Sequence, residues 1–482
     1  MILTLLILVP LVAGIFSMFM KNAAKGIALI SSIATLVIAA VAVVNINASG
    51  NGATAWSMPW IPALGANFSL MADGMAGMLC LLTGIVMTVV FISNWNKEVE
   101  NQGSFYGLML LSQAGITGVF LASDALLFYF FWELALIPVY FLCSQWGGEK
   151  RIAVTFKFFV YTFLGSLMLL AALIFLSQAN PGGDAFALEN IIKAGRSLPA
   201  DQQQWMFWLI FIAFAIKMPI FPFHTWQPDT YEQSPTPVTI ILSALMVKMG
   251  LFGVVRWLLP VVPDGVAFWS DTIITLAVIG IVYASLIAIV QTDLKRLIAY
   301  SSIAHMGLMI AAAFANNNVG THGLMVQMFN HGINIAGMWV MVSMIEQRWG
   351  TRNMKELGGM ATTAPLMTIA LVIISLANIA LPLTNGFIGE FMLFNGLFSG
   401  TSQYSMTFMV IAGLGIILGA VYTLNMIQRT AYGEAVATKQ GGDITVNEYI
   451  GLAIIIALII VLGVYPKPLL DITSGMAVTI MP

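Results

Sequence analysis

The chain has 482 residues, of which 59% are hydrophobic and only 8% charged, where soluble domains carry roughly 25% charged residues. That balance excludes a soluble globular protein and describes an all-α polytopic membrane protein without an extended soluble domain. The formal net charge of −2 names no partner, and no stretch has the basic character that nucleic acid requires.

The N-terminus is apolar from Ile2 with no basic stretch before it, so it reads as a first spanning helix rather than a cleaved signal. Windows of about 20 apolar residues predict fourteen spans. They centre on 2–20, 26–46, 70–94, 105–122, 125–144, 153–177, 204–222, 237–257, 269–290, 296–315, 320–345, 364–398, 406–428 and 446–465. The longest polar connection is 178–203. Cys80 and Cys143 lie in apolar runs, with no CxxC or Cys/His cluster, so neither a metal site nor a disulfide is expected. No P-loop or dinucleotide fingerprint is present, and Gly413, Gly415 and Gly419 read as a close-packing helix face.

Basic residues set the expected orientation. The loops after odd-numbered spans hold Lys21, Lys25, Lys97, Lys150, Arg151, Lys295, Arg296, Arg348, Arg352, Lys355, Arg429 and Lys439. The other side holds Lys193, Arg196, Arg256 and Lys467, a count of 12 against 4. By the positive-inside rule the first side is cytoplasmic and both termini face outward.

Two spans are expected to break. Pro219 and Pro222 follow Lys217 directly, and they deprive the carbonyls of Ala215 and Met218 of helical partners. The twelfth span is too long for one straight helix, with Pro382, Gly386 and Gly389 marking its break. The chain also echoes itself. Asp124 and Asp293 open the fifth and tenth spans, Pro219 and Pro382 break the seventh and twelfth, and Arg256 and Arg429 close the eighth and thirteenth. The offsets are 169, 163 and 173 residues. A single membrane domain over 1–482 is expected, built from three N-terminal helices (1–95), a first five-helix unit (105–258), a second (269–430) and a last helix (446–465). Five is odd, so the second unit enters the membrane inverted. Inverted repeats with paired broken helices place an ion site near the midplane.

Six ionisable residues fall deep inside the predicted spans: Glu133, Lys217, Lys248, His305, His331 and Glu390. A charge in hydrocarbon is costly unless it faces a polar interior and acts on ions or protons. Structural carboxylates, satisfied core histidines or snorkelling lysines are the bland readings. Against them stands the position of Glu133, about 13 Å into its helix from Asp124, and of Lys248, two turns before the interfacial Arg256. A Glu–Lys contact at about 4 Å is worth about 4 kcal/mol at an effective dielectric near 20. Bringing Glu133 to or from Lys217 therefore switches the lysine between holding and passing a proton. Histidine titrates near neutrality and suits a proton carrier. His224 is assigned to the cytoplasmic side as a proton-access residue, Asp73 to structure, and His322 and Lys157 to solvated or snorkelled positions.

The segments FYFFWELALIPVYFL, AIKMPIFPFHTWQPDTYEQSPTPV, LMVKMGLFG, QTDLKRLIAYSSIAHMG and NGFIGEF resemble the antiporter-like proton-pumping subunits of respiratory complex I, above all the M-type (chain 4) group of bacterial NADH–quinone oxidoreductases. The resemblance runs from about Ile2 to Tyr465. It implies a fourteen-helix fold with broken seventh and twelfth spans, in a subunit of a translocase that sits in the bacterial inner membrane. Glu133 and Lys217 would form a modulating pair, Lys248 the central carrier, His305 and His331 the connecting path and Glu390 the outward terminal group. A glutamate there fits the M type, since L and N relatives usually carry lysine. The seventeen residues after the last span leave no room for the long lateral helix of the L type. The resemblance implies neighbouring L- and N-type subunits as partners. It places FMN, iron–sulfur clusters and quinone in partner subunits, and no cofactor or metal in this chain. A subunit of a multisubunit cation/proton antiporter or of a group-4 hydrogenase shares these motifs. A purely structural scaffold is the third reading, against which six midplane charges stand.

Overall fold

A computed structural model of the protein describes residues 1–48, 53–179, 184–434 and 442–474. Lys439, counted above among the basic loop residues, lies outside them. Two helices open the chain, α1 (Ile2–Phe19) and α2 (Ala24–Ala48). Their outer faces leave Leu8, Val12, Phe16, Ile30 and Val37 exposed, as expected of side chains that meet lipid rather than water.

An antiparallel hairpin follows, β1 (Ala53–Ile61) and β2 (Ala66–Asp73), turning at Gly65, whose φ of 67° suits a residue without Cβ. The sequence reading placed these last strand residues in the third span from position 70. The helix α3 (Gly74–Ser93) starts later because the Asp73 carboxylate caps it, accepting from Ala76 N at 3.0 Å.

The helices α4 (Gln102–Leu121), α5 (Ala125–Trp146) and α6 (Arg151–Gln178) come next. The polar connection expected after them holds a short helix of its own, α7 (Leu188–Ser197). Then come α8 (Ala200–Lys217), α9 (Gln227–Gln233) and α10 (Thr236–Leu258). The second half of the chain forms α11 (Pro263–Val290), α12 (Leu294–Ala313), α13 (Asn318–Trp349), α14 (Pro365–Asn378), α15 (Asn385–Phe398), α16 (Ser405–Ala431), α17 (Val446–Val464) and α18 (Lys467–Ser474).

Among the described residues, 11 helices are long and apolar enough to cross a membrane. Three predicted spans fall short for physical reasons. The start of α8 is the polar run Asp201–Gln204; α13 carries Gln327, Asn330, His331 and Asn334; α14 and α15 are two halves of 14 residues each. Burial orders the bundle around α10, whose apolar window is 100% buried, while only 28% of the α16 window is. Two stretches of α10, Ile241–Met246 and Val254–Leu258, are wound as π-helix on either side of Lys248. Such wide turns are rare and concentrate at functional positions.

Both expected breaks are present, and side chains satisfy them. After α8 the Ala215 carbonyl, deprived of its usual partner by Pro219, accepts from Ile220 N at 3.2 Å. The Ile216 carbonyl accepts from the Trp226 indole at 3.0 Å. Between α14 and α15, which flank Pro382, Ala380 and Leu383 take positive φ of 57° and 74°. There Asn334 Nδ2 donates to the Ala377 carbonyl at 3.1 Å and Asn330 Nδ2 to the Asn385 carbonyl at 2.8 Å.

At the far end of α10 the Arg256 guanidinium pairs with Asp73, with side-chain exposures of 10% and 7%, so that one ion pair joins α10 to the start of α3. Removing one partner of a buried pair leaves an uncompensated charge and costs about 3–5 kcal/mol. Arg256→Ala should therefore lower the thermal stability of the purified protein well beyond the loss seen when Asp73→Asn and Arg256→Gln are combined. Equal losses in the two would show that the pair is not energetically coupled.

Candidate functional site

The site grows from α10. Lys248 is fully buried, and its ammonium donates to the Ser243 carbonyl at 3.0 Å, inside the π-wound turn. Its second partner is His331 Nδ1 at 2.8 Å, on α13. That contact makes Nδ1 the lone-pair nitrogen of a neutral imidazole while Lys248 is charged. The His331 ring lies 5.4 Å from that of His305 on α12, centroid to centroid. His305 Nδ1 in turn lies 3.0 Å from Glu390 Oε1 on α15. Four of the six residues singled out from the sequence thus form one line, Lys248–His331–His305–Glu390, drawn from four helices. A cavity of about 30 Å³, lined by His305, Glu390 and Tyr422 among others, lies at its Glu390 end.

The remaining two sit on the other side of α10. Lys217 closes α8, is buried, and places its ammonium 5.1 Å from the centroid of the Trp132 ring. No hydrogen-bond partner for Lys217 Nζ is found among the described residues, and none for Glu133 Oε1. The sequence reading had Glu133 and Lys217 acting on each other by coming together or apart; in this structure they form no ion pair. The Trp132 indole face takes the place of a direct counter-charge. The end of α8 approaches Lys248's helix closely at Gly250, where a Cβ would come 2.8 Å from the Phe214 carbonyl oxygen.

Residues assigned to the periphery are more engaged than the sequence indicated. Lys157 bonds Asp229 at 2.8 Å and the Thr225 carbonyl at 2.9 Å. His322 bonds the Thr473 hydroxyl at 2.6 Å. His224 is buried, stacked on Phe221 at 5.8 Å and edge-on to Tyr283 at 5.3 Å, with Nδ1 unpartnered among the described residues. Lys295, counted as a loop charge, is 3% exposed and is corrected to a buried group: its neighbours on α9 and α13 fold over it. The short helix after the first break, α9, is held from two directions. Arg296 pairs with Asp229 and Glu232 at 3.1 and 2.7 Å, and Arg352 donates to the Glu232 carbonyl at 3.0 Å.

Hydroxyl and indole groups that carry no sequence signal complete the site. Tyr422 bonds Ser301 at 2.9 Å, Ser301 accepts from Asn378 Nδ2 at 3.2 Å, and Trp226 supports the end of α8. Tyrosine, serine and tryptophan are ordinary inside helices, so only their placement reveals them. Cys80 and Cys143 are free and buried. Among the described residues no group of three or more His, Cys, Asp or Glu is placed to hold a metal ion. The line of amine, imidazole and carboxylate suits proton transfer, since neighbours along it are close enough for direct or one-water exchange.

A family model described as NADH:quinone oxidoreductase/Mrp antiporter, TM, matches residues 122–425. The chain is 34% identical to NADH-quinone oxidoreductase subunit M of Rickettsia prowazekii, over 98% of this chain and 96% of that one. It is 36% identical to F(420)H(2) dehydrogenase subunit M of Methanosarcina mazei, over 97% and 95%. Among solved structures, a chain of respiratory complex I from Thermus thermophilus superposes with a TM-score of 0.89 at 25% identity, covering 100% of both chains.

The Trp226 indole yields a prediction. Trp226→Phe keeps the aromatic bulk and strands the buried Ile216 carbonyl, at a cost of about 1–3 kcal/mol. The end of α8 that carries Lys217 should loosen, lowering both the thermal stability of the complex and its proton-to-electron ratio. Unchanged values of both would show that the break is held elsewhere.

Proposed function

The chain belongs to the NADH:quinone oxidoreductase/Mrp antiporter transmembrane family, and we propose that it is the antiporter-like, proton-translocating M subunit of an energy-converting oxidoreductase. It is a multi-pass membrane protein. The observation that carries the reading is the line Lys248–His331–His305–Glu390, with hydrogen-bond distances of 2.8 and 3.0 Å at its ends and a ring-centroid separation of 5.4 Å between the histidines.

In this reading Lys248 holds a proton between Ser243 and His331 and passes it along the imidazoles to Glu390. Glu133 and Lys217 set the electrostatic field that decides when Lys248 lets go. Desolvation favours a neutral lysine and a nearby cation favours it further, whereas a carboxylate opposes it. Each proton moved across 100 mV costs about 2.3 kcal/mol. The driving energy comes from redox chemistry in partner subunits, where FMN, iron–sulfur clusters and quinone would sit. Neighbouring L- and N-type subunits flank this chain in the membrane. Fourteen spans in two inverted five-helix units, and both termini on the outer side of a bacterial inner membrane, complete the proposal. The count of basic residues supports that orientation.

The electron donor is open, since one relative is named for NADH and another for F420H2. The rival reading is a cation/proton antiporter subunit, which the family's description includes. The names of the relatives given above favour the oxidoreductase.

Lys248→Arg is the sharpest test. Guanidinium stays charged at any working pH, so it keeps the Ser243 and His331 contacts but cannot release a proton. Proton uptake per electron in proteoliposomes of the assembled complex should fall nearly as far as with Lys248→Ala. A near-normal ratio with Arg removes Lys248 from the relay. Glu133→Gln keeps the volume and the hydrogen bonding without the charge, and should sharply reduce pumping while the complex still assembles. A normal ratio in that variant makes Glu133 structural.

A further inference from the structure

The face that carries most of the basic residues contains a cavity of about 740 Å³ among the ends of α4, α5, α9, α12 and α13. Its wall mixes both signs of charge, with Lys97, Glu149, Lys150 and Glu232 among its lining. That mixture does not select an anion or a cation, and it suits bulk water and its protons. Lys295 and Glu346 also line it. Lys295 is nonetheless 3% exposed, its ammonium donating to the Ser234 carbonyl at 3.0 Å and lying 3.9 Å from Glu346. The Glu346 side chain is 39% exposed and also reaches Arg352 at 3.6 Å. One buried amine therefore stands between a water-accessible carboxylate and the protein interior.

The interior behind it is polar along a defined path. On α12, Lys295 is followed by Ser302 two turns deeper and by His305 another three residues on, about 15 Å from Lys295 along the axis. On α13, Glu346 is followed inward by Trp339 and then by His331. The Ser302 hydroxyl and the Trp339 indole N–H are fully buried and have no hydrogen-bond partner among the described residues. Tyr231 of α9, with its ring 5.6 Å from that of Trp339, and Gln227 beside it present a buried hydroxyl and amide to one another, with no other partner for either among the described residues. Buried polar atoms are almost always paired, and where protein supplies no partner ordered water does. Along α12 and α13 such atoms fall between the level of Lys295 and Glu346 and that of the two histidines.

We propose that Lys295 is a proton-carrying residue at the mouth of a second access path, which loads the His305–His331 pair from the basic face by way of Ser302, Trp339 and Tyr231. The inference rests on the proton-translocating reading given above and adds an access route to it. In one cycle the Lys295 ammonium gives a proton to water hydrogen-bonded along the path. The resulting amine takes a proton from the Glu346 carboxyl, and the carboxylate is reprotonated from the cavity. Charge and protons balance, and no other reactant is needed.

The test compares Lys295→Arg, Lys295→Met and Tyr231→Phe with Lys248→Ala and wild type, in the purified whole complex in proteoliposomes. Proton uptake per electron is read while substrate oxidation continues. Lys295→Arg keeps the charge and the Ser234 contact but not the ability to release a proton, so its ratio should fall as far as that of Lys248→Ala. Tyr231→Phe removes a single oxygen atom and should also lower it. A wild-type ratio in Lys295→Arg, with Lys295→Met impaired, would make Lys295 a structural clamp on α9 and overturn the proposal. A wild-type ratio in Tyr231→Phe would overturn the path, and it decides the question if Lys295→Arg fails to assemble. A ratio that falls for Lys295→Arg but not for Lys248→Ala would keep the access route and overturn the relay instead, so the two readings fail separately.

Discussion

An ammonium removed from water must be given lone pairs and must not be trapped by a permanent counter-charge if it is to change its protonation. Lys248 meets both conditions: a backbone carbonyl and a neutral imidazole hold it, and among the described residues no carboxylate pairs with it. Much of the molecule serves that arrangement. The π-wound turn carries the Ser243 carbonyl that the ammonium reaches, full burial of α10 keeps competing water away, and α13 presents His331 at the required height. Inside a low-dielectric bundle small displacements of a second charge matter, because interactions there fall off weakly with distance.

Two discontinuous helices flank this centre, and in both the released backbone is satisfied by side chains rather than left open. Trp226 supports the end of α8, while Asn330 and Asn334 support the gap between α14 and α15. Unpaired backbone is not tolerated at membrane depth unless protein or water covers it. The same asparagines flank His331 on α13, so the geometry of the second break and the position of the imidazole are set by one stretch of helix. Lys157, Arg296 and Arg352 fix α9 from both halves of the chain. The result is a rigid frame on which the titrating groups stand.

Much of this was legible in the sequence because the membrane imposes strong, local rules. Length and apolarity placed the helices to within a few residues, Pro219 and Pro382 marked the breaks, and the cost of intramembrane charge singled out Glu133, Lys217, Lys248, His305, His331 and Glu390. Missed were elements that do not follow from hydropathy. The end of β2 was absorbed into the third span, since its apolar residues raise a window average as a helix does, and the rest of the β1–β2 hairpin fell in an unassigned connection. Short α7 disappeared into a polar connection for the converse reason.

The amino-acid sequence alone determined which groups are costly to bury, and therefore which ones the fold had to accommodate. Which of them touch was decided only by the tertiary structure. Lys248 pairs with His331 rather than with a carboxylate, Lys217 faces Trp132 rather than Glu133, and His305 meets Glu390 across two helices. Lys295 was counted among the loop charges because it precedes the predicted tenth span, yet it lies in the first turn of α12 and the end of α9 and α13 close over it. Spacing along one helix fixes the height and direction of a side chain. Contacts between helices depend on how the helices rotate and pack against one another, and that is set by the whole bundle at once rather than by any single stretch of chain.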